Sequence, residues 1–177
     1  EAPSFADAGF VPGVRLRWRV RARIHTAAQP FSAEVVATTM ARPGPAEFIT
    51  GFEAVQGAQY TTHDEEMDWT RRIAAASRRV RVVQIGKTAE GRAINLFIIG
   101  NPAPLATVEQ ISASPSAGAN CNVHGNEPSG REGCFMMIRE LAFSNEKWVT
   151  NILTNNTVLI VPSFNGDGRA ANQRGNS

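Results

Sequence analysis

Asn122-Val123-His124-Gly125-Asn126-Glu127-Pro128 places an imidazole and a carboxylate three residues apart at the end of an apolar run. A neutral imidazole nitrogen and a carboxylate oxygen are donors that zinc accepts together, and a turn at this spacing brings both to one point. His124 and Glu127 are therefore the candidate metal ligands. Short motifs of this kind recur by chance, and the alternative is an ordinary loop histidine. A second polar segment, Asn165-Gly166-Asp167-Gly168, superficially resembles a calcium loop, whose twelfth residue must be a bidentate glutamate. Counted from Ser163, the twelfth position is Arg174, a cation, and calcium is ruled out there.

The elements that must position these residues follow from pattern. Thr62-His63-Asp64-Glu65 has the capping-box spacing and predicts a helix to about Ser77, with Trp69, Ile73 and Ala76 inward and His63 on the solvent-facing end. Val80 to Ile85 and Ile94 to Ile99 are β-branched runs, joined through Lys87-Thr88-Ala89-Glu90-Gly91-Arg92 as a hairpin-like connection. Asn101 to Ser116 reads as a surface loop with one helical turn near Val108-Glu109-Gln110. Gly118 to Val123 is predicted as a short buried strand with the metal motif at its carboxyl end, where sites are built in open α/β sheets.

Ser129-Gly130-Arg131-Glu132 offers another capping box, followed by Cys134, Met137, Ile138, Leu141 and Ala142 on one helical face. Trp148, Val149, Ile152 and Leu153 suggest a shorter helix ending at Asn155-Asn156, and Val158 to Val161 a fully buried strand. These elements imply an α/β fold, three-layer α/β/α with a mixed sheet. Its first two strands are antiparallel, and the strands flanking the capped helix are parallel through a crossover.

The amino-terminal part reads differently. Residues 1 to 13 are a small-residue leader, and Val14 to Ile24 alternates apolar residues with five arginines. The basic face would attract nucleic acid, acidic glycan or anionic lipid; a solvated, aggregation-resistant edge is the favoured reading, because the net charge is only +2 and no aromatic residues interleave on the arginine side. Phe31 to Thr39 supplies a second strand, and Arg42-Pro43-Gly44-Pro45 a turn or linker. This divides the chain into a β-rich extension with its linker, 1–57, and an α/β domain, 58–177. No apolar run approaches the roughly 20 residues of a membrane span. Cys121 and Cys134 read as buried thiols, with a bridge open if the protein is exported.

From Tyr60 to Ser177 the chain resembles the zinc metallocarboxypeptidases of the carboxypeptidase A-like family, in their bacterial form. The motifs that carry this are the capped first helix, Gly86 with Gly91-Arg92, His124-Gly125-Asn126-Glu127-Pro128 and the helix after it. Asn165-Gly166-Asp167-Gly168 leading into Asn172-Gln173-Arg174-Gly175-Asn176 completes the order.

The resemblance implies a peptidase acting on the carboxyl terminus of a peptide or protein, with Zn2+ as cofactor. His124 and Glu127 would be two of three protein ligands, and Arg174 the arginine that polarises the scissile carbonyl. Localisation stays open on the sequence, with a secreted, extracellular location favoured over a cytoplasmic one. Some relatives carry arginine where this chain has Asn126.

In the family an Asn-Arg pair, a third ligand histidine, a tyrosine and a general-base glutamate follow later. None has a counterpart here, His25 and His63 being poorly placed, so the chain reads as the first part of a catalytic domain. Ending at Ser177 would leave the sheet short of strands, which predicts poor solubility or a need for the remaining polypeptide. Two alternatives stay open: a zinc-dependent N-acyl amino acid deacylase, which shares His-Gly-x-Glu, and a non-catalytic fragment or binding module.

Overall fold

The computed structural model describes residues 48–175, together with the backbone of four short strands nearer the amino terminus. The chain divides into two compact units, Glu1–Arg42 and Pro43–Ser177. In the first unit, β1 (Arg15–Trp18) pairs antiparallel with β4 (Val35–Thr38), with Arg15 opposite Thr38 and Arg17 opposite Val36. β2 (Arg23–Ile24) pairs with β3 (Ala27–Ala28). The expected continuous strand from Val14 to Ile24 is thus described only in two pieces. The expected leader, His25 and the Arg42–Pro45 turn lie outside the described residues.

The second unit is built on a mixed four-stranded sheet of order β5-β6-β8-β7. β5 (Val80–Lys87) and β6 (Ala93–Ile99) run antiparallel with a register shift between Gln84 and Gly86, and β6 pairs antiparallel with β8 (Thr157–Val161). The turn between β5 and β6 needs a left-handed residue, which Gly91 supplies at φ +85°.

β7 (Ser116–Asn120) lies parallel to β8. A parallel pair requires a crossover, here carried by α4 (Ser129–Phe143) and α5 (Lys147–Asn155). The remaining helices are α1 (Gly51–Ala54), α2 (His63–Ala76), α3 (Val108–Ser112) and α6 (Gly166–Ala170).

The core lies between one face of the sheet and a layer of helices. Phe97, Ile99, Val158 and Ile160 meet Trp69 and Ile73 of α2, Phe135, Ile138 and Leu141 of α4, and Val149 and Leu153 of α5. Ile98 and Val161 are buried outside that cluster, so the sheet is also covered locally on its other face. The fold is therefore α/β with a mixed sheet, as the pattern of runs predicts. Among the described residues, no helix is long and apolar enough to cross a membrane.

Several local expectations are corrected. β7 ends at Asn120, not Val123, and is largely exposed, because it is the outer strand of the described sheet and pairs only with β8. α4 starts on Pro128 with no side-chain cap, because Glu132 is recruited elsewhere: its carboxylate accepts from the amide and hydroxyl of Thr61. Ala76 and Met137 point outward, and Trp148 and Ile152 are also exposed, leaving Val149 and Leu153 as the inward side of α5.

Residues 48–57, assigned to the linker by sequence, form α1 and pack as part of the second unit. Thr50 and Glu53 make a capping box, and the same Glu53 carboxylate takes both terminal nitrogens of Arg139 on α4, at 2.6 and 2.9 Å. The carbonyl of Phe48 accepts from Trp69 Nε1 at 2.8 Å.

Burial pushes the Glu53 carboxyl upward, but the hydrogen bonds from Arg139 and Thr50 outweigh it and hold it below its ordinary value. A depressed carboxylate adds stability above its unfolded value, and loses it as pH falls through the folded one. Glu53→Gln is therefore expected to lower the melting temperature most near pH 7, with the gap to the unsubstituted protein closing below about pH 4. Thermal melts across that range check it, and a gap that does not depend on pH refutes the role given to the ion pair.

Candidate metal centre

The segment that carries His124 and Glu127 is a turn hung between β7 and α4. Its first anchor is backbone: the Cys121 amide donates to Val161 O at 2.8 Å, and the Cys121 carbonyl accepts from Phe164 N at 3.1 Å. Asn122 then adopts φ +53°, a left-handed conformation that asparagine tolerates better than most residues, and its side-chain amide donates to the His124 carbonyl at 2.8 Å. That reversal turns the next side chains away from the strand direction.

Gly125 is required by space. A Cβ built there would stand 2.0 Å from Gly168 C and 2.4 Å from Arg169 N, so only glycine lets the turn lie against α6. Its amide donates to the Arg174 carbonyl at 3.1 Å.

α6 is the second wall. The polar segment at residues 165–168 is the start of this helix, with the Asn165 side chain accepting from Gly168 N at 2.9 Å. The other end of the same amide donates to Val123 O and Arg174 O, both at 3.3 Å, which joins the two polar segments through one residue.

Asp167 is buried and accepts from the Thr88 hydroxyl at 2.7 Å, the Glu90 amide at 3.0 Å and Arg92 Nη1 at 2.7 Å. Burial raises its pKa, yet these three donors together hold it below the ordinary aspartate value. The β5–β6 connection, with its Gly91-Arg92, is thereby clamped to α6.

Within this frame the three sequence-nominated residues come together. His124 Nδ1 lies 3.1 Å from Glu127 Oε2, and Arg174 Nη1 donates to Glu127 Oε1 at 2.6 Å. An ionised carboxylate only accepts, so the proton between His124 and Glu127 belongs to Nδ1. The His124 hydrogen bond, with Arg174 acting in the same direction, holds the Glu127 carboxyl below its ordinary value. All three side chains reach solvent. His124 and Glu127 border an open cleft of about 570 Å³ whose lining includes Tyr60, Asn122, Val123, Asn126 and Ser129.

Two donors bound to one zinc at about 2.1 Å each, with tetrahedral angles, sit roughly 3.4 Å apart. The observed 3.1 Å between Nδ1 and Oε2 suits that arrangement, with the Nδ1 proton giving way to the ion. The donor set therefore fits two positions of a zinc shell. No group of three or more His, Cys, Asp or Glu gathers around one point among the described residues. His63 is half-buried, not solvent-facing as its helix-end position predicts, and its pKa is lowered by burial first and Arg92 second.

Cys121 and Cys134 form a disulfide, where buried thiols are the sequence expectation. Spacing of 13 residues says nothing about pairing until the turn doubles the chain back onto α4. Asn122 and Asn165 are the site residues that sequence reasoning misses. Their only signal is the asparagine preference for left-handed and helix-capping positions.

The model of the zinc carboxypeptidase family matches residues 66–177. The chain belongs to that family. Carboxypeptidase 2 of Trichophyton rubrum is 30% identical over 127 residues, covering 70% of this chain and 23% of the fungal protein. Among solved structures, thrombin activatable fibrinolysis inhibitor superposes with a TM-score of 0.58 at 20% identity, over 67% of this chain and 30% of its own. The carboxypeptidase A of Helicoverpa armigera gives a TM-score of 0.53 at 22% identity, over 65% and 28%. These structures share the zinc carboxypeptidase fold with this chain, which spans less than a third of the length of any of the three proteins. Both polar segments of the candidate centre fall inside the family match.

Proposed function

We propose that this chain forms the first part of the catalytic domain of a zinc-dependent metallocarboxypeptidase, which hydrolyses the carboxy-terminal peptide bond of peptides or proteins. The observation that carries the reading is the convergence of His124 Nδ1 and Glu127 Oε2 at 3.1 Å, with Arg174 on the carboxylate's other oxygen. His124 and Glu127 hold the ion, and the further donors come from the rest of the full-length protein. Zinc bound there supplies Lewis-acid polarisation and an acidified water. The Cys121–Cys134 disulfide favours an oxidising compartment, and with it secretion.

Arg174 is the oxyanion group. Its guanidinium presents a rigid fork of donors to the charge that develops on the substrate carbonyl. Its present partner does not trap it, because both side chains are more than half exposed and solvent screens such a pair. The guanidinium is thus able to leave Glu127 for a substrate carbonyl.

Arg174→Ala in the full-length protein is expected to lower turnover of a peptide by about 100- to 1,000-fold, the usual cost of one oxyanion donor, while zinc content stays stoichiometric. Unchanged turnover removes Arg174 from the mechanism. Assaying the same preparation on an N-acyl amino acid completes the test: faster release from that substrate than from a peptide overturns the carboxypeptidase reading in favour of a deacylase.

A further inference from the structure

We propose that the Cys121–Cys134 disulfide is a positioning device for the metal turn, and that its closure keeps His124 and Glu127 convergent enough to bind zinc; this rests on the ligand assignment above. Among the described residues it is the one disulfide, and the 13-residue span it closes contains both candidate ligands and the whole turn between β7 and α4.

Its two ends are held differently. Cys134 is buried in α4, packed in the main core with Phe135 and Ile138. Cys121 is half-buried against the edge of that core, directly before the left-handed Asn122, where the last β7–β8 hydrogen bond gives way to the turn. The covalent bond therefore ties the strand-side start of the turn to the helix that follows it, with the ligand-bearing residues between the two anchored ends.

What else holds the turn is modest. His124 and Glu127 have side chains 41% and 57% exposed, held to each other at 3.1 Å and, for Glu127, to the exposed Arg174 guanidinium at 2.6 Å. The backbone between them keeps one internal hydrogen bond, from Glu127 N to His124 O at 3.1 Å. The remaining restraints are single hydrogen bonds: Cys121 N to Val161 O and Phe164 N to Cys121 O at the start of the turn, Asn165 N to Asn122 O, the Asn122 and Asn165 side-chain amides, and Gly125 N to the Arg174 carbonyl. An open turn has to pay the entropy of ordering two exposed ligands when zinc arrives, whereas a closed one has lost most of that freedom beforehand. The sign of the effect follows: the bridge raises affinity by restricting the metal-free state, without touching the ion.

The test uses full-length protein and Zn2+ alone, titrated against a chromophoric chelator. Oxidised protein is compared with Cys121→Ala/Cys134→Ala, after circular dichroism shows that the variant is folded. The expected result is zinc affinity weaker by at least tenfold, about 1.4 kcal/mol, in the variant. Should the double variant not fold, the unsubstituted protein opened by a dithiol, which delivers two electrons and two protons to the S–S bond and leaves as its own disulfide, supplies the same comparison.

Affinity within threefold of the oxidised protein overturns the inference while leaving the peptidase reading intact, and so does tighter binding on reduction, the result expected if the Cys121 thiolate joined the shell. If oxidised protein binds no zinc that His124→Ala abolishes, the ligand assignment itself has failed, and this inference with it.

Discussion

Glu127→Ala in the full-length protein is expected to bind zinc at least about 100-fold more weakly and to lose nearly all peptidase turnover, with little change in melting temperature. Loss of a residue that merely orients a ligand costs 10- to 100-fold in metal affinity or activity, and a ligand should cost more. The substitution removes one of the two donors whose atoms converge at 3.1 Å, and leaves His124 as the sole nominated contact within this chain.

Stability is insulated from the change. Glu127 is 57% exposed, and its partners His124 and Arg174 are 41% and 62% exposed, so breaking these solvent-screened contacts should alter stability little. Metal content by mass spectrometry and a thermal melt on one sample decide the matter. Stoichiometric zinc after the substitution removes Glu127 from the shell, and a collapsed melt would mean that its role is structural.

Arg131→Met is expected to be the most damaging single change to the fold. Arg131 is 1% exposed, yet it stands just past the metal turn, in the first turn of α4. Its guanidinium reaches Glu66 Oε2 at 3.4 Å and Glu132 Oε1 at 3.1 Å, and donates to the Thr61 carbonyl. Glu66 in turn accepts from Ser163 Oγ at 2.7 Å, two residues before Asn165. One buried cation therefore joins the start of α2, the start of α4 and the strand end that leads into α6.

Methionine fills similar space without the charge and strands two carboxylates in the interior, a loss that runs to about 3–5 kcal/mol. For a unit of this size that is a fall of roughly 10 °C or more in melting temperature.

The pH dependence has a definite sign. Burial already raises the Glu66 carboxyl above its ordinary value, with Arg131 and Ser163 opposing. A raised carboxyl takes up its proton more readily folded than unfolded, so stability falls as pH rises from the unfolded value through the folded one. Without Arg131 that rise is larger, and the destabilisation should be greatest near neutrality and smaller at about pH 5. A variant that melts within 2 °C of the unsubstituted protein at pH 7 would show that this network carries little of the fold.

The two segments most legible in sequence were those where local chemistry is self-sufficient. The Thr62–Glu65 capping box predicts the start of α2, because both bonds close within four residues. The β-branched runs at 80–85 and 94–99 predict an antiparallel pair, because nothing but a short turn lies between them. The second box failed for the converse reason. Ser129 and Glu132 have the right spacing, but Thr61, 71 residues away, offers Glu132 two donors at 2.7 and 3.0 Å and takes the carboxylate. The exposure of β7 and the burial of Arg131 and Arg139 are likewise decided by partners distant along the chain.

By itself, then, the sequence determined the α/β class, nominated His124 and Glu127 as candidate metal donors, and carried the motifs whose family resemblance nominates Arg174 for the oxyanion role. Residue type and short-range spacing are sufficient for such inferences. Only the tertiary structure decided that the three side chains meet, that Cys121 joins Cys134, and that Asn165 with the glycine-only contact of Gly125 brings residues 165–175 against the turn. Each of these depends on a backbone reversal or a contact between segments about 40 residues apart, and side-chain chemistry carries no record of distance until the chain has folded.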